Sequence, residues 1–155
     1  MEAVFGNYIL PCLCAFVACV GFTLIFNIHG LGKLIAGFGG ALGWLVYLLA
    51  GSTIFAAFLA AAAIGVFAEV MGRVRRCPVT GYLLVALLPL VPGGGIYYAM
   101  RYCVAGDTGR FLSTLLHTFG MAAALAVGAM LASSLFRAVF SRLRPLPQKS
   151  KQRRN

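Results

Sequence analysis

The sequence predicts an all-α, polytopic membrane protein with about five transmembrane helices, the fourth broken by proline and glycine. Three observations carry this. First, 61% of the 155 residues are hydrophobic, 10% are charged and the mean hydropathy is +0.93, whereas soluble domains carry roughly 25% charged residues. Second, residues 3–32, 34–68, 77–100 and 111–136 contain no charged side chain, and a helix crosses a bilayer with about 20 apolar residues. Third, the interval 77–100 holds Pro89-Leu90-Val91-Pro92-Gly93-Gly94-Gly95 at its centre. Proline lacks an N–H and its ring clashes with the carbonyl four residues back. Three glycines impose no steric preference for helix.

The first span is expected at about 8–28. It has no basic n-region and is too long for a signal peptide, so it reads as a retained helix. The interval 34–68 would make a helix of about 50 Å, too long for one crossing. It divides at Gly51-Ser52-Thr53 into spans at about 33–50 and 53–73. The broken span covers about 79–102, and the last covers about 111–140. Residues 1–141 thus form one transmembrane helical domain, followed by a basic cytoplasmic tail at 142–155.

Charge placement orients these spans. With the N-terminus outside, Lys33, Arg73, Arg75, Arg76, Arg137 and the six basic residues of the tail lie inside, against Arg101 and Arg110 outside. This satisfies the positive-inside rule and places the C-terminus in the cytoplasm. A four-span arrangement, with the second segment flat or re-entrant, moves only Lys33 and stays open. The net charge of +10 therefore reports topology and contact of the tail with anionic lipids, and no nucleic-acid partner is expected.

Five cysteines in apolar surroundings (Cys12, Cys14, Cys19, Cys77 and Cys103) read as buried thiols rather than a disulfide framework. Cys12-x-Cys14 does not have zinc-ligand spacing, and neither a metal nor another cofactor is expected. Gly120, Ala124, Gly128 and Ala132 make one flat stripe on the last span, and Gly39-x-x-x-Gly43 another on the second. Such stripes let helices approach closely in lipid. They serve either packing within the chain or docking of another subunit.

Few polar residues fall at membrane depth, where ionisable groups are costly and usually functional. Glu69 is a proton-coupling candidate; its alternative is a local ion pair with Arg73, four residues on. His117, inside the last span, is the second candidate, because histidine titrates in the physiological range; its alternative is a buried cross-helix hydrogen bond. Asn27 either caps the first helix or lines a pathway. Trp44, Tyr47, Tyr82, Tyr97, Tyr98 and Tyr102 suit interfacial belts, with Tyr97 and Tyr98 the best placed to face a cavity.

Non-helical backbone at membrane depth survives only if buried in protein or lining a polar cavity. A half-helix restarting at about Gly95 would point its positive N-terminal end and free N–H groups into the membrane interior. A substrate carboxylate fits there, as in transporters with discontinuous helices, and freed carbonyls near Ala86 to Pro89 could hold an ammonium group. Pro89, Pro92, Gly93, Gly94, Gly95, Tyr97, Tyr98 and Asn27 are the candidate substrate-binding residues. The competing structural account is a Pro-kinked helix packed against its neighbours.

Glu69-x-x-Gly-Arg73, a junction containing Pro78, and Leu87-Leu88-Pro89-Leu90-Val91-Pro92-Gly93-Gly94-Gly95-Ile96-Tyr97-Tyr98 resemble the threonine/serine exporter family, as do Phe26-Asn27-Ile28 and Gly39-Gly40-Ala41-Leu42-Gly43-Trp44. The match is to the small, membrane-only component of its split two-subunit form and covers most of residues 15–135. The resemblance implies a bacterial plasma-membrane subunit of a secondary transporter. It would export threonine, serine or related carboxylates with the proton gradient, beside a larger exporter subunit or by self-association. The alternative function is a scaffold subunit that does not touch substrate. No catalytic motif such as Gly-x-Ser-x-Gly or His-Glu-x-x-His is present, so an enzyme is not expected. A channel lacks a readable ring of charged residues at the break.

Overall fold

The computed structural model describes residues 5–75 and 78–143. The described chain is helical and lies over the five expected segments. One π-helical turn (Phe5–Ile9) leads into α1 (Leu10–Ile25). Then come α2 (Gly32–Leu49), α3 (Ile54–Arg75) and α4 (Val79–Leu87). A 3-10 turn (Leu88–Leu90) separates α4 from α5 (Gly93–Val104), and α6 (Thr108–Leu143) closes the fold. The tail beyond Leu143, together with Arg76 and Cys77, lies outside the described residues.

The helix ends follow from local chemistry. Three helices stop on a left-handed residue, Asn27 (φ 55°), Gly51 (φ 86°) and Gly106 (φ 76°). At each stop the N–H of that residue and the N–H of the next donate back to the last carbonyls; after α1, the Asn27 N–H donates to the Leu24 carbonyl and the Ile28 N–H to that of Thr23. This is the Schellman arrangement that glycine and asparagine favour. Two helices begin on a side-chain cap. The Thr53 hydroxyl accepts the Ala56 N–H at 3.2 Å, and the Asp107 carboxylate accepts the Arg110 N–H at 3.0 Å.

Helices α2, α3 and α6 are each long and apolar enough to cross a membrane, and α4 with α5 qualifies as one span bent by 45°. Helix α1 is apolar but shorter, about 24 Å at the standard rise. Large apolar side chains such as Val17, Leu24 and Val104 face outward, as expected of a surface solvated by lipid. The chain is a multi-pass, all-α membrane protein.

Helix α2 packs between α1 and α3, and its glycines explain how. Gly37 and Gly40 face Phe16, Val20 and Cys19 of α1, while Gly39 and Gly43 face Phe67 and Ile64 of α3. A Cβ at any of these positions would overlap a neighbour. Helices α3 and α6 share the most extensive interface. There a Cβ on Gly128 would stand 2.5 Å from the Phe58 carbonyl oxygen, and one on Gly65 would stand 2.8 Å from Ala132 Cβ. Both glycine stripes are therefore used within the chain. The core between α3, α4 and α6 is built from Ala57, Ala60, Ala61, Ile64, Ala86, Leu125 and Ala129. Of the described cysteines only Cys19 is fully buried. Cys14 and Cys103 are exposed and Cys12 is half-buried, which departs from the expectation of buried thiols; a small apolar group is as well suited to the lipid face as to the core.

The broken element changes partners at its break. Helix α4 sits against α2 and α3 and buries Tyr82, Val85 and Ala86, whereas α5 lies along α6 and buries Ala99.

Candidate functional site

The break replaces helical hydrogen bonds in a defined way. Pro89 has no N–H to give the Val85 carbonyl, and the Cys19 thiol donates to that oxygen instead, at 3.2 Å. The chain then tightens, with the Val91 N–H donating to the Leu88 carbonyl at 3.2 Å and the Gly93 N–H to the Val91 carbonyl at 2.8 Å. Val91 is extended (φ −60°, ψ 126°). Helix α5 restarts at Gly93, two residues before the expected Gly95, and its first helical bond runs from the Ile96 N–H to the Pro92 carbonyl at 3.4 Å. The N–H groups of Gly94 and Gly95 precede that bond and have no intrahelical acceptor.

Glycine is required at one of these positions for space. A Cβ on Gly95 would overlap the Thr118 side chain of α6, so α5 can close onto α6 only with glycine there. Gly93 and Gly94 face open space instead.

That space is a cavity of about 250 Å³. Trp44 and Tyr47 of α2, residues Pro89 to Pro92 with Gly94 and Gly95, and His117, Thr118 and Met121 of α6 line it. Two of its polar side chains are engaged: the Thr118 hydroxyl donates to the Thr114 carbonyl at 2.7 Å, and the Tyr47 hydroxyl to the Ser52 carbonyl at 3.2 Å. Two are not. Trp44 Nε1 is buried without a hydrogen-bond partner among the described residues. His117 is exposed and likewise has no partner among them. It does not form the buried cross-helix bond considered for it.

The structure thus brings Pro89, Pro92, Gly94, Gly95 and His117 to one cavity, with Gly93 at the adjoining helix start. It does not bring Tyr97 and Tyr98 there. The ridge of α5 that meets α6 runs through Gly95 and the buried Ala99. Tyr97 and Tyr98 lie off that ridge, more than half exposed or nearly so, with their rings edge-to-face at 5.4 Å. Asn27 serves as the left-handed stop of α1 and does not line the cavity.

Glu69 stands elsewhere. Its carboxylate is 1% exposed and takes two guanidinium groups, Arg73 Nη1 on Oε2 at 2.5 Å and Arg137 Nε on Oε1 at 3.1 Å. Arg73 also donates to the Glu69 carbonyl at 2.9 Å and lies over the Phe136 and Phe140 rings, at 4.7 and 4.9 Å from their centroids. The Glu69–Arg73 ion pair considered from the sequence is present, with Arg137 of α6 as a third member. On α6, His117 and Arg137 are twenty positions apart, about 30 Å along the axis. The two proton-coupling candidates therefore do not share a site.

Sequence reasoning missed Trp44, Tyr47, Thr118 and Met121 as cavity residues. Trp44 and Tyr47 carried an interfacial-aromatic signal, and Thr118 gave none of its own. Arg137 as a partner of Glu69 was also missed, since the two are separated by 68 positions.

Residues 11–135 match the family model described as Threonine/Serine exporter, ThrE. No curated protein and no solved structure matches the chain. The matched region contains α2 to α5 whole, nearly all of α1, and the part of α6 that lines the cavity. With most of its length inside that match, the chain belongs to the threonine/serine exporter family.

Proposed function

We propose that this chain is the small membrane subunit of a two-component, proton-coupled exporter of threonine, serine or related small carboxylates, and that the cavity at the break is where it meets substrate. The cavity carries the reading. A 250 Å³ space opens where a helix restarts inside an apolar bundle, and its lining includes the first residues of α5 and the imidazole of His117. The N–H groups of Gly94 and Gly95 and the positive end of α5 suit a carboxylate. His117, which lines the cavity, is the proton-coupling group we favour. Glu69 is the less favoured candidate, because two arginines already compensate its charge.

The bacterial plasma membrane with a cytoplasmic C-terminus is the proposed setting. The Glu69–Arg137 contact supports the orientation, since it ties the Arg73–Arg75 end of α3 to the basic end of α6. Five crossings are proposed, with α1 and its preceding turn together making the first. Co-expression with a larger membrane subunit, followed by counterflow of labelled threonine, serine and succinate in vesicles, tests the function. Exchange of threonine or serine is expected; exchange of none of the three defeats the proposal.

A scaffold role is the second reading. The observation favouring it is the outward aromatic face of α5, where Tyr97 and Tyr98 are 66% and 50% exposed and could meet a partner's helices. Unchanged export by a Gly94→Leu complex that still assembles would favour this reading.

A further inference from the structure

We propose that a groove between α4 and α6, at the basic end of α6, binds an anionic phospholipid, with the Arg137 guanidinium on its phosphate. This site is separate from the cavity at the break and does not rest on the reading of that cavity.

The groove measures about 320 Å³ and is lined by Leu83 of α4 and by Ala129, Met130, Ser133, Ser134 and Arg137 of α6. The α6 members recur three or four positions apart and so share one face of that helix. Met130, Ser134 and Arg137 are exposed, so the groove opens onto the outer surface that lipid solvates. Its chemistry changes in one direction. Apolar side chains at 129 and 130 give way to hydroxyls at 133 and 134 and then to a guanidinium at 137, over about 12 Å of helix. A phospholipid presents acyl chain, glycerol ester and phosphate in the same order. The depth fits as well. Arg110 and Arg137 are twenty-seven positions apart on α6 with no charged residue between them. That is about 40 Å along the axis, the thickness of a bilayer with its headgroup layers.

The charges at this end call for an anion. The Glu69 carboxylate is fully partnered, but it sets one negative charge against the two guanidiniums that touch it. One formal positive charge is left over, and it lies on Arg137 rather than Arg73. Arg73 is held by the carboxylate, by the Glu69 carbonyl and by the Phe136 and Phe140 rings. Arg137 reaches Glu69 through Nε, its two Nη groups have no partner among the described residues, and its side chain is 66% exposed. A guanidinium offers paired N–H donors that match two oxygens of a phosphate. Serine inside a helix commonly bonds a carbonyl one turn back. The Ser133 and Ser134 hydroxyls make no such bond among the described residues, which leaves them to the lipid's ester and phosphate oxygens. A basic pocket between helices at the membrane surface attracts anionic headgroups.

The test measures lipid binding to the purified full chain in detergent by native mass spectrometry. The probes are dioleoylphosphatidylglycerol, dioleoylphosphatidylcholine (no net charge) and sn-glycerol 3-phosphate (no acyl chain). One phosphatidylglycerol is expected to bind ahead of all others. Arg137→Gln should weaken that first lipid by about tenfold, the loss of one charge-assisted contact, and Ser134→Leu, which fills the groove, should weaken it too. A tail variant with Lys149, Lys151, Arg153 and Arg154 changed to Gln should keep it. Wild-type affinity for phosphatidylglycerol in both groove variants overturns the proposal. So does loss of the first lipid in the tail variant, which would put the lipid on the tail. Equal binding of phosphatidylcholine overturns the recognition of charge, and equal binding of glycerol 3-phosphate makes the groove a site for a soluble phosphate instead of a lipid. Where Arg137→Gln does not fold because Glu69 loses a partner, Ser134→Leu decides. None of these outcomes bears on counterflow, so the cavity reading stands or falls separately.

Discussion

Two polar regions sit in this apolar bundle, and they are built on opposite terms. At the basic end, Glu69 gives each carboxylate oxygen a guanidinium, and Arg73 is further held by two aromatic rings and a carbonyl. At the break, Trp44 Nε1 and His117 have no partner among the described residues, and the first N–H groups of α5 point beyond their own helix. Polar groups at membrane depth cost free energy unless satisfied. The first region is satisfied by the chain itself and so ties α3 to α6. The second is not satisfied by the described residues, and it is there that we propose the substrate site.

If that contrast holds, substitutions in the two regions should separate stability from transport. The largest effect on stability is expected from removing both guanidiniums. Arg73→Met with Arg137→Met leaves a buried carboxylate unpaired and should cost about 3–5 kcal/mol, read as thermal unfolding in detergent. Adding Glu69→Met should restore most of the loss, because an apolar replacement of a buried ion cluster is often neutral. A triple variant as unstable as the double would break the comparison.

The next effect is steric. Gly128→Val puts a side chain on the Phe58 carbonyl and should cost about 1–3 kcal/mol by the same measurement, locating the α3–α6 interface rather than the polar cluster as the rigid part.

At the break the order reverses. A side chain on Gly94 meets open space and no positive φ, so Gly94→Leu should change stability by no more than about 0.5 kcal/mol. It should nevertheless abolish threonine counterflow by filling the cavity. Retained counterflow would remove the cavity from the pathway. The smallest stability effect belongs to His117→Gln, an exposed position. There the expected change is loss of the dependence of export on the proton gradient, with threonine binding and folding retained. Gradient-driven export that persists in this variant would return the coupling role to Glu69.

Much of this organisation was open to the sequence, because it depends on local chemistry. Charge-free intervals mark the helices, since a charge is costly wherever lipid surrounds it. Pro89, Pro92 and the three glycines mark the break, because a missing N–H and absent side chains act within a few residues. The capping role of Asn27 and the Glu69–Arg73 pair were likewise available, being contacts within one helix or its end. What the tertiary structure decided is which distant groups meet. Cys19 reaches the carbonyl that Pro89 leaves vacant, Arg137 crosses to Glu69, and His117 and Trp44 arrive at the break from different helices. It also turned Tyr97 and Tyr98 outward, although they directly follow the glycines. Periodicity tells which residues share a face of one helix, but it carries no term for which faces oppose. The separation of a satisfied ion cluster from an unsatisfied cavity therefore emerges only when α2, α3, α4 and α6 are packed together.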